Sequence, residues 1–370
     1  MTRRTVKKKP SVMRQRTLTV ASTKGGVGKT TIDGMLAFEA ARLGLRVLVV
    51  DADGQGSLSY SMRSYTDDPS ANIVGVIEDP KVSAIDALYY AEAWMPNPDL
   101  PWLKGGPAIP GGRIVIMPTT GGAASENTAT KALAESGSTK EIRLAQKLDD
   151  PALHDAFDLV VLDMPGSDHP AIISSILFAA EHIAYPLFPD YVCYEGLSTI
   201  DARINAWFEV SGLPINFLGG IPTAVPPRLT AGSEDRKILE DSARWIEENY
   251  DDIGAQTIAP GIERRRAVGK ALGEGKPVAA VATSKQQRRD LGTIPPSVTR
   301  TLLTILEDMR PIADDPDTAD RVDFDVEGMT KAVLAQDMPD AWREIIQGPH
   351  YYTPKHYAVE NFTTSKSEEK

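Results

Sequence analysis

The chain has 370 residues, of which 42% are hydrophobic and 25% are charged, and its formal net charge is −11. This composition is typical of one large α/β domain with appendages or of two small domains, and it excludes collagen, a coiled coil or a wholly disordered chain. The single cysteine, Cys193, excludes a disulfide framework, a zinc site or an iron–sulfur ligand set within one chain. The sequence has neither a run of about 18 apolar residues nor a signal peptide, so we expect a cytoplasmic protein without a membrane partner.

The first segment, residues 1–16, is basic and contains no acidic residue. We expect it to form a disordered arm. Two interpretations remain open: a solvated tail, or an arm that contacts DNA or a partner protein locally although the chain as a whole is acidic. Its basic residues are Arg3, Arg4, Lys7, Lys8, Lys9, Arg14 and Arg16.

A strand–loop–helix–strand unit follows the arm. Residues 17–23 are apolar and β-branched, which favours a buried parallel strand, and residues 31–43 have a helical pattern. Residues 46–51 form a second buried strand that ends in an acid. Residues 57–112 are rich in Pro, Gly and aromatic residues, and we interpret them as an insertion at the edge of the domain with one helix at 83–93.

Strands and helices continue to alternate along the rest of the chain, which predicts a doubly wound, mostly parallel sheet flanked by helices. The further strands are expected at 113–117, 157–163, 182–188, 215–225 and near 256–258. The further helices are expected at 125–148, 170–180, 196–210, 235–250, 262–272 and 297–309.

The strongest motif is the glycine-rich sequence KGGVGKTT, residues 24–31, between the first strand and the first helix. Its glycines let successive backbone N–H groups turn towards phosphate oxygens, at the positive end of the following helix. Lys29 is predicted to reach the β- and γ-phosphates of a nucleotide, and the Thr30 hydroxyl is predicted to bind Mg²⁺. The expected loop ligands are Gly25, Gly26, Val27, Gly28, Lys29, Thr30 and Thr31.

This motif defines three regions of the chain. Residues 17–310 are predicted to form a P-loop domain that binds a nucleotide with Mg²⁺, which the family resemblance described below makes an ATPase domain with ATP as cofactor. This domain follows the basic disordered arm 1–16. Residues 311–370 are predicted to be an acidic linker and a C-terminal helical extension.

Acidic residues end two of the predicted strands. Asp51 and Asp53 alternate along an extended segment, so both carboxylates are expected on one face, towards the phosphate loop. Asp163 ends the apolar run LVVLD, which matches the Walker B pattern, and its carboxylate is predicted to bind Mg²⁺ through water.

The loop resembles the deviant Walker A motif of the ParA/MinD family of ATPases, because it begins with Lys24. The resemblance implies that Lys24 is the signature lysine, which contacts phosphate in the partner subunit of an ATP-bound homodimer. It also implies that Asp51 supports the metal or its waters and that Asp53 orients the attacking water. Adenine rather than guanine is implied by the family alone, and Thr223 and Pro260 are candidate base contacts.

Two segments that the family uses as switches, one around Asp53 and one after Asp163, depart from the family pattern. Where the family has D-x-D-P-Q-G-N, this chain has Gly54 for the proline and Ser57 for the asparagine. Glycine lacks the fixed φ of proline, so the first switch is expected to be looser. The second switch has Met164, Pro165 and Gly166 where the family usually has a threonine and two prolines.

Among the branches of the family, the ParA-like partition ATPases are favoured. The C-terminal residues do not have the pattern of the amphipathic membrane helix of MinD-like proteins, and the nitrogenase iron-protein relatives need paired cysteines, which this chain lacks. Larger plasmid ParA proteins carry an N-terminal DNA-binding domain. Only the short basic arm precedes the P-loop here, so we do not expect transcriptional repression by such a domain. The resemblance then implies that the ATP-bound dimer binds nonspecific DNA and that a ParB-like or adaptor protein stimulates slow hydrolysis. The candidate DNA contacts are Arg264, Arg265, Arg266 and Lys270, which could also form a solvated helix face.

Three other hypotheses remain open. The cargo could be something other than a plasmid or chromosome, since a partner protein would choose it. The same scaffold could serve a small-molecule kinase or synthetase with an acceptor pocket in residues 57–112. Alternatively, the chain could assemble into nucleotide-gated filaments.

Overall fold

The computed structural model describes residues 17–64, 68, 71–91, 94, 112–119, 141–166, 170–211, 215–226, 229–250, 256–257, 262–264, 266–277, 298, 301–303, 305–306 and 325–334. The basic arm, Pro260 and Arg265 therefore lie outside the described residues, as does the predicted linker up to residue 324.

Eight strands in the described part of the chain form one sheet with the order β3-β4-β2-β5-β1-β6-β7-β8. All neighbouring strands are parallel except β3, which pairs antiparallel with β4. The strand bounds are β1 Thr17–Val20, β2 Arg46–Asp51, β3 Tyr89–Tyr90, β4 Arg113–Met117, β5 Leu159–Asp163, β6 His182–Leu187, β7 Asn216–Pro222 and β8 Gln256–Thr257. The mostly parallel sheet predicted from the sequence is confirmed.

Helices cover both faces of the sheet. Val47 and Val49 of β2 pack into one apolar core with the helices Lys29–Arg42, Arg266–Gly273 and Val326–Leu334. Leu48 and Val50 pack into a second core with the helices Pro170–Ala179, Tyr191–Ser211 and Glu234–Tyr250. This alternation is expected of a strand buried on both faces, and it makes the sheet doubly wound. The helix bounds are α1 Lys29–Arg42, α2 Ser57–Ser61, α3 Ile73–Glu78, α4 Arg143–Leu148, α5 Pro151–Ala156, α6 Pro170–Ala179, α7 Tyr191–Ser211, α8 Glu234–Tyr250, α9 Arg266–Gly273 and α10 Val326–Leu334.

The helix predicted at residues 83–93 is wrong. The described part of that segment contains a short 3₁₀ turn, Ile85–Ala87, and the edge strand β3. Tyr89 pairs with Ile116 and Tyr90 with Val115, so pairing with the open edge of β4 replaces the local helical pattern. The indole N–H of Trp94 donates to the carbonyl of Ser61 at 3.1 Å, which connects the end of this segment to α2.

Part of the C-terminal region packs on the α1 face of the sheet. Leu302, Leu303 and Leu306 are helical and buried in that core, and Val326 and Met329 of α10 join them. The helical extension predicted after residue 310 is thus present at least as α10. The longest helix in the described part of the chain, α7, has 21 residues, and no described helix is long and apolar enough to cross a membrane.

Candidate nucleotide-binding site

The register of the sheet creates the site. Strand β5 lies between β2 and β1, and Asp51 at the end of β2 is the Cα partner of Asp163 at the end of β5. The glycine-rich loop leaves the same edge of the sheet from β1. The carboxyl ends of parallel strands lie at the same edge of a sheet, and open α/β sheets bind their ligands at this edge.

The loop has the backbone conformation that its glycines predicted. Gly26 and Gly28 have φ values of 74° and 93°, a region that favours glycine. Gly28 caps α1 without a side-chain hydrogen bond, so no side chain of the cap occupies the first N–H groups of the helix. Gly25 and Gly26 are exposed, whereas Val27 is buried and anchors the loop in the protein.

Lys29 is 4% exposed and is folded back over the loop, where its Nζ donates to the carbonyl of Lys24 at 2.8 Å. Burial lowers the pKa of Lys29, while the nearby carboxyl groups of Asp163, Asp53 and Asp33 act in the opposite direction. The lysine therefore lies inside the turn of the loop, as expected of a group that binds phosphate.

The two side chains predicted to bind the metal directly or through water are in contact. The Thr30 hydroxyl donates to Oδ1 of Asp163 at 3.2 Å, at the start of α1. Asp163 is fully buried, and desolvation raises its pKa well above the usual value, with a further contribution from Asp51 and Asp53.

Asp51 is held by helix α2. Both the backbone N–H and the hydroxyl of Ser59 donate to its Oδ2 at 2.7 Å, and the Ser59 hydroxyl oxygen accepts from the backbone N–H of Thr119 at 3.0 Å. Asp51 is fully buried, and desolvation raises its pKa to about 6 although the Ser59 hydrogen bonds act in the opposite direction.

Asp53 lies beside Asp51 and is half-buried. Its backbone N–H donates to Oδ1 of Asp51 at 3.3 Å, and its own Oδ1 accepts from the backbone N–H of Gln55 at 3.0 Å. The side chain therefore stabilises the turn that leads into α2, and Gly56, with φ 62°, completes that turn.

Lys24 points away from the interior of the loop. Its Nζ lies 2.7 Å from Oδ1 of Asp190, and both side chains are more than one-third exposed. Asp190 also accepts from the N–H of Val192, so it caps the start of α7. The hydrogen bond raises the pKa of Lys24 and lowers that of Asp190.

Two further segments pack closely against the loop. Thr223 is buried, and a β-carbon placed on Gly28 would lie 2.5 Å from its Oγ1. Gly166, in the second switch, approaches Gly25 so closely that a β-carbon on Gly166 would lie 2.7 Å from the Gly25 Cα and 3.4 Å from the Lys29 Nζ. Thr223, predicted as a base contact, is thus placed at the loop itself.

The basic residues predicted to contact DNA occupy two places. Arg266 and Lys270 are exposed on α9, and Lys270 pairs with Glu274 at 3.4 Å. Arg264 precedes the helix, and its guanidinium lies over the ring of Phe188 at 5.6 Å from the ring centroid. Arg264 therefore belongs to the loop next to β6 and does not continue the face of α9.

Sequence reasoning missed three residues of the site: Asp33, Ser59 and Asp190. Asp33 could have been found, because it is an acid within the apolar part of α1 and lies four residues after Lys29. Ser59 and Asp190 carried no motif of their own. Ser59 contacts Asp51, 8 residues earlier, across the turn into α2, and Asp190 contacts Lys24 of the loop, 166 residues away.

The side chains fit a magnesium ion that is bound mainly by phosphate and water. No group of three or more His, Cys, Asp or Glu side chains in the described part of the chain could hold a metal ion by itself. Mg²⁺ bound beside a nucleotide usually takes only one or two protein ligands, and the Thr30–Asp163 pair supplies such a set of oxygens.

We predict that Gly166→Ala weakens nucleotide binding by about 10-fold, because its β-carbon would press on the backbone of Gly25. Titration with a fluorescent ATP analogue would measure the affinity. Gly269→Ala is the matched control, since a β-carbon there meets nothing within 4 Å. Unchanged affinity in folded Gly166→Ala protein would show that the loop and the second switch separate without cost.

We predict that Asp51→Asn stabilises the nucleotide-free protein at pH 8 by on the order of 2 kcal/mol. The folded-state pKa of Asp51, about 6, lies above its ordinary value of 3.8. The cost of burying the charge is therefore absent below about pH 4 and fully present above about pH 6. Urea unfolding should show the advantage of the variant shrinking as the pH falls from 8 to 5.

Glu327→Gln, which changes an exposed carboxylate, controls for general charge effects and should alter stability little at either pH. A stability difference between Asp51→Asn and the wild type that did not vary with pH would contradict the assignment of the effect to the Asp51 charge.

Comparison with known proteins agrees with this geometry. The family described as "CobQ/CobB/MinD/ParA nucleotide binding domain" matches residues 18–278, which is more than half of the chain.

Three curated relatives illustrate the range of proteins that this chain resembles. Protein IncC of Escherichia coli is 26% identical over 58% of this chain, and the chain spans about half, 52%, of its length. "Maintenance of carboxysome distribution protein A" of Synechococcus elongatus is 27% identical over 72% of this chain and 92% of its own length. "Chromosome-partitioning ATPase Soj" of Thermus thermophilus is 28% identical over 55% of this chain and 70% of its own length.

Solved structures share the fold. An ATP complex of McdA from Cyanothece has a TM-score of 0.58 and 18% identity, over 77% of this chain and 97% of that one. Cobyrinic acid a,c-diamide synthase from Mycobacterium smegmatis, solved with an ATP analogue and magnesium, has a TM-score of 0.53 and 24% identity, over 75% of this chain and 98% of that one. With a glycine-rich loop, two strand-end acids and a family match over most of the sheet, the chain belongs to the CobQ/CobB/MinD/ParA nucleotide-binding family.

Proposed function

We propose that this protein is a ParA-like ATPase that binds Mg-ATP, dimerises on ATP binding, binds nonspecific DNA and drives the partition or positioning of a cargo. The observation that carries the proposal is Lys24, the first residue of the phosphate loop, whose ammonium group lies at the accessible surface of the site and not inside the loop. A lysine placed in this way is available to a phosphate of a second subunit.

The nucleotide part of the proposal is supported by the contacts of the loop. On nucleotide binding, Lys29 would exchange its bond to the Lys24 carbonyl for bonds to the phosphates, and Thr30 and Asp163 would hold the metal directly or through water. When bound, Mg²⁺ supplies positive charge that neutralises the phosphate oxygens. Structures of this fold have been solved with ATP and with an ATP analogue plus magnesium.

We assign the positioning of the attacking water to the first switch, the segment that contains Asp53. Asp53 is half-buried at the end of the segment after β2, next to the fully buried Asp51. We assign to Asp53 the orientation of the attacking water, and to Asp51 the support of the metal waters. Oδ1 of Asp53 accepts from the backbone N–H of Gln55, and a carboxylate with one such bond still has lone pairs that can accept from a water molecule.

Dimerisation requires Lys24 to leave Asp190. An exposed ion pair of this kind is weak because water and salt screen it, so a phosphate group in the partner subunit is a stronger ligand for the ammonium. The Asp190 carboxylate keeps its bond to the N–H of Val192 when the lysine leaves, so the start of α7 remains capped.

DNA binding is assigned to Arg264, Arg266 and Lys270, together with Arg265. Exposed arginine and lysine side chains bind phosphates without reading bases, which suits a nonspecific DNA surface. The Glu274 carboxylate lies between Lys270 and Lys276 and partly offsets this charge, so we expect moderate affinity that falls with salt.

The cargo is assigned only by class. The relatives are named for chromosome partitioning in one case and for carboxysome distribution in another, so this scaffold carries different cargoes. We propose plasmid or chromosome partition with a ParB-like or adaptor partner that stimulates hydrolysis, and another positioned cargo as the alternative.

We predict slow ATP hydrolysis that nonspecific double-stranded DNA alters in the wild type and not in Lys24→Ala, because the variant lacks the charge supplied to the partner's phosphates. Steady-state phosphate release with and without DNA would measure this. Asp190→Asn keeps both Lys24 and the cap of α7, so its rate should still respond to DNA. If neither DNA nor the Lys24→Ala substitution changed the rate of ATP hydrolysis, the ParA-like proposal would be contradicted and only a generic P-loop ATPase would be supported.

We predict that Arg266→Ala and Lys270→Ala each weaken DNA binding by about 3- to 10-fold and lower the slope of log K against log salt by about 1. Fluorescence anisotropy of a labelled duplex with ATP present would measure both quantities. Lys331→Ala is the matched control, because Lys331 is also an exposed helix lysine paired with a glutamate four residues away. Equal effects of all three variants would exclude a DNA surface on α9.

A further inference from the structure

Arg63 ends helix α2 in a backbone conformation that is unfavourable for arginine. Its φ of 56° lies in the left-handed region, and Ala224 is the other described residue that has a positive φ without being glycine. The N–H groups of Arg63 and Ser64 donate to the carbonyls of Tyr60 and Ser59 at 3.0 and 2.9 Å. This is the helix ending in which glycine or asparagine usually occupies the left-handed position.

The choice of arginine at this position calls for a physical reason. A β-carbon strains the left-handed backbone, so glycine would cost less at residue 63. The Arg63 side chain is exposed, so burial of apolar surface does not compensate the strain. Strained residues that the fold retains are concentrated at functional sites. The exposed guanidinium itself is therefore the part of Arg63 to which a role can be assigned.

The Arg63 side chain lies against the turn that follows α9. A β-carbon on Gly275 would lie 2.9 Å from the Arg63 Nε and 2.9 Å from the carbonyl oxygen of Ser61, so glycine makes room for the guanidinium. Nη2 of Arg63 donates to the carbonyl of Glu274 at 3.4 Å, which is its one side-chain hydrogen bond within the described residues. The turn thus places the guanidinium while most of its five N–H donors stay available.

The same turn carries other cations. Arg266, Lys270 and Glu274 follow one another at intervals of four residues, so they lie along one face of α9 and its C-terminal end. Lys270 and Lys276 both pair with the Glu274 carboxylate, at 3.4 and 3.3 Å. The hydrogen bonds from Lys276 and Lys270 lower the pKa of Glu274, so this group is charged at neutral pH. With Arg63, four exposed cations accompany one carboxylate, and this surface is positive.

We propose that Arg63 contacts the phosphates of double-stranded DNA and extends the basic face of α9 onto α2. A guanidinium can donate two parallel N–H groups to one phosphate, whereas lysines bind phosphate as point charges. Phosphate contacts of this kind position a protein on the duplex and read no bases. The inference rests on the proposed nonspecific DNA binding and adds to it a residue that lies about 200 positions before α9.

Glu274 makes the inference testable by the sign of an effect. Its carboxylate repels phosphates and pairs with two of the lysines that would bind them. Removal of this charge should therefore strengthen DNA binding, whereas removal of the Arg63 charge should weaken it. A cluster that served only to hold the end of α9 in place would lose two ion pairs in Glu274→Gln and would gain no affinity for DNA.

The test uses the full chain with ATP and Mg²⁺, and fluorescence anisotropy of a labelled duplex measures affinity at several salt concentrations. Arg63→Gly removes the guanidinium and suits the left-handed backbone, so its melting temperature should stay close to that of the wild type. Arg63→Lys keeps the positive charge. Arg244→Ala is the matched control, because Arg244 is an exposed arginine that pairs with Asp241 on α8, which packs on the opposite face of the sheet from α9.

We expect Arg63→Gly to weaken DNA binding by about 3- to 10-fold and to lower the slope of log K against log salt by about 1. Arg63→Lys should bind within about 3-fold of the wild type, and Glu274→Gln should bind about 3-fold more tightly. Arg244→Ala should bind as the wild type does.

Three results would overturn the inference: wild-type affinity in folded Arg63→Gly, weaker binding by Glu274→Gln, or an equal loss in Arg244→Ala. A wild type that did not bind the duplex in the presence of ATP would overturn the proposed DNA binding before any variant is compared. The wild-type titration therefore separates the failure of the proposed function from the failure of the role of Arg63.

Discussion

The burial of three carboxyl groups at one edge of the sheet is the constraint on which the site depends. Asp33, Asp51 and Asp163 are all fully buried, and burial raises the pKa of each one. Buried charge is tolerated only where donors or cations compensate it. The chain meets this requirement with Ser59 at Asp51 and with Thr30 and the neighbouring Lys29 at Asp163. The positions of α2 and of the first turn of α1 follow from this compensation.

The shape of the phosphate loop and its contact with the second switch depend on glycine backbone geometry. The loop before α1 needs positive φ at Gly26 and Gly28, and the approach of Gly166 to Gly25 leaves no room for a side chain between the two loops. The second switch is therefore in contact with the phosphate loop through glycine on both sides. A displacement of either segment reaches the other directly, because no flexible side chain lies between their backbones to absorb it.

The sequence predicted the local features of this protein well and the nonlocal ones poorly. The apolar strands that end at Asp51 and Asp163, and the loop from Lys24 to Thr31, carry their own periodicity or motif, so the parallel sheet and the position of the site could be predicted. The segment 83–93 was wrongly predicted to be a helix, because the local pattern does not reveal its pairing with β4, which lies more than 20 residues further along the chain. Asp190 escaped notice for the same reason, since its partner Lys24 is 166 residues away, whereas Ser59 lies only 8 residues after Asp51 and simply belongs to no motif.

Helix α2 connects the acid of β2 to the basic helix. It is five residues long, or about 7.5 Å at 1.5 Å per residue. Ser59, in the middle of α2, binds Asp51, while Arg63 just after it has φ 56° and donates to the carbonyl of Glu274 at 3.4 Å. Protein interiors have few voids, so a displacement of one packed element is felt by the elements that it touches. The segment from Ser59 to Arg63 therefore touches both the carboxylate at the end of β2 and the C-terminal end of α9, so these two distant parts of the chain share one short structural support.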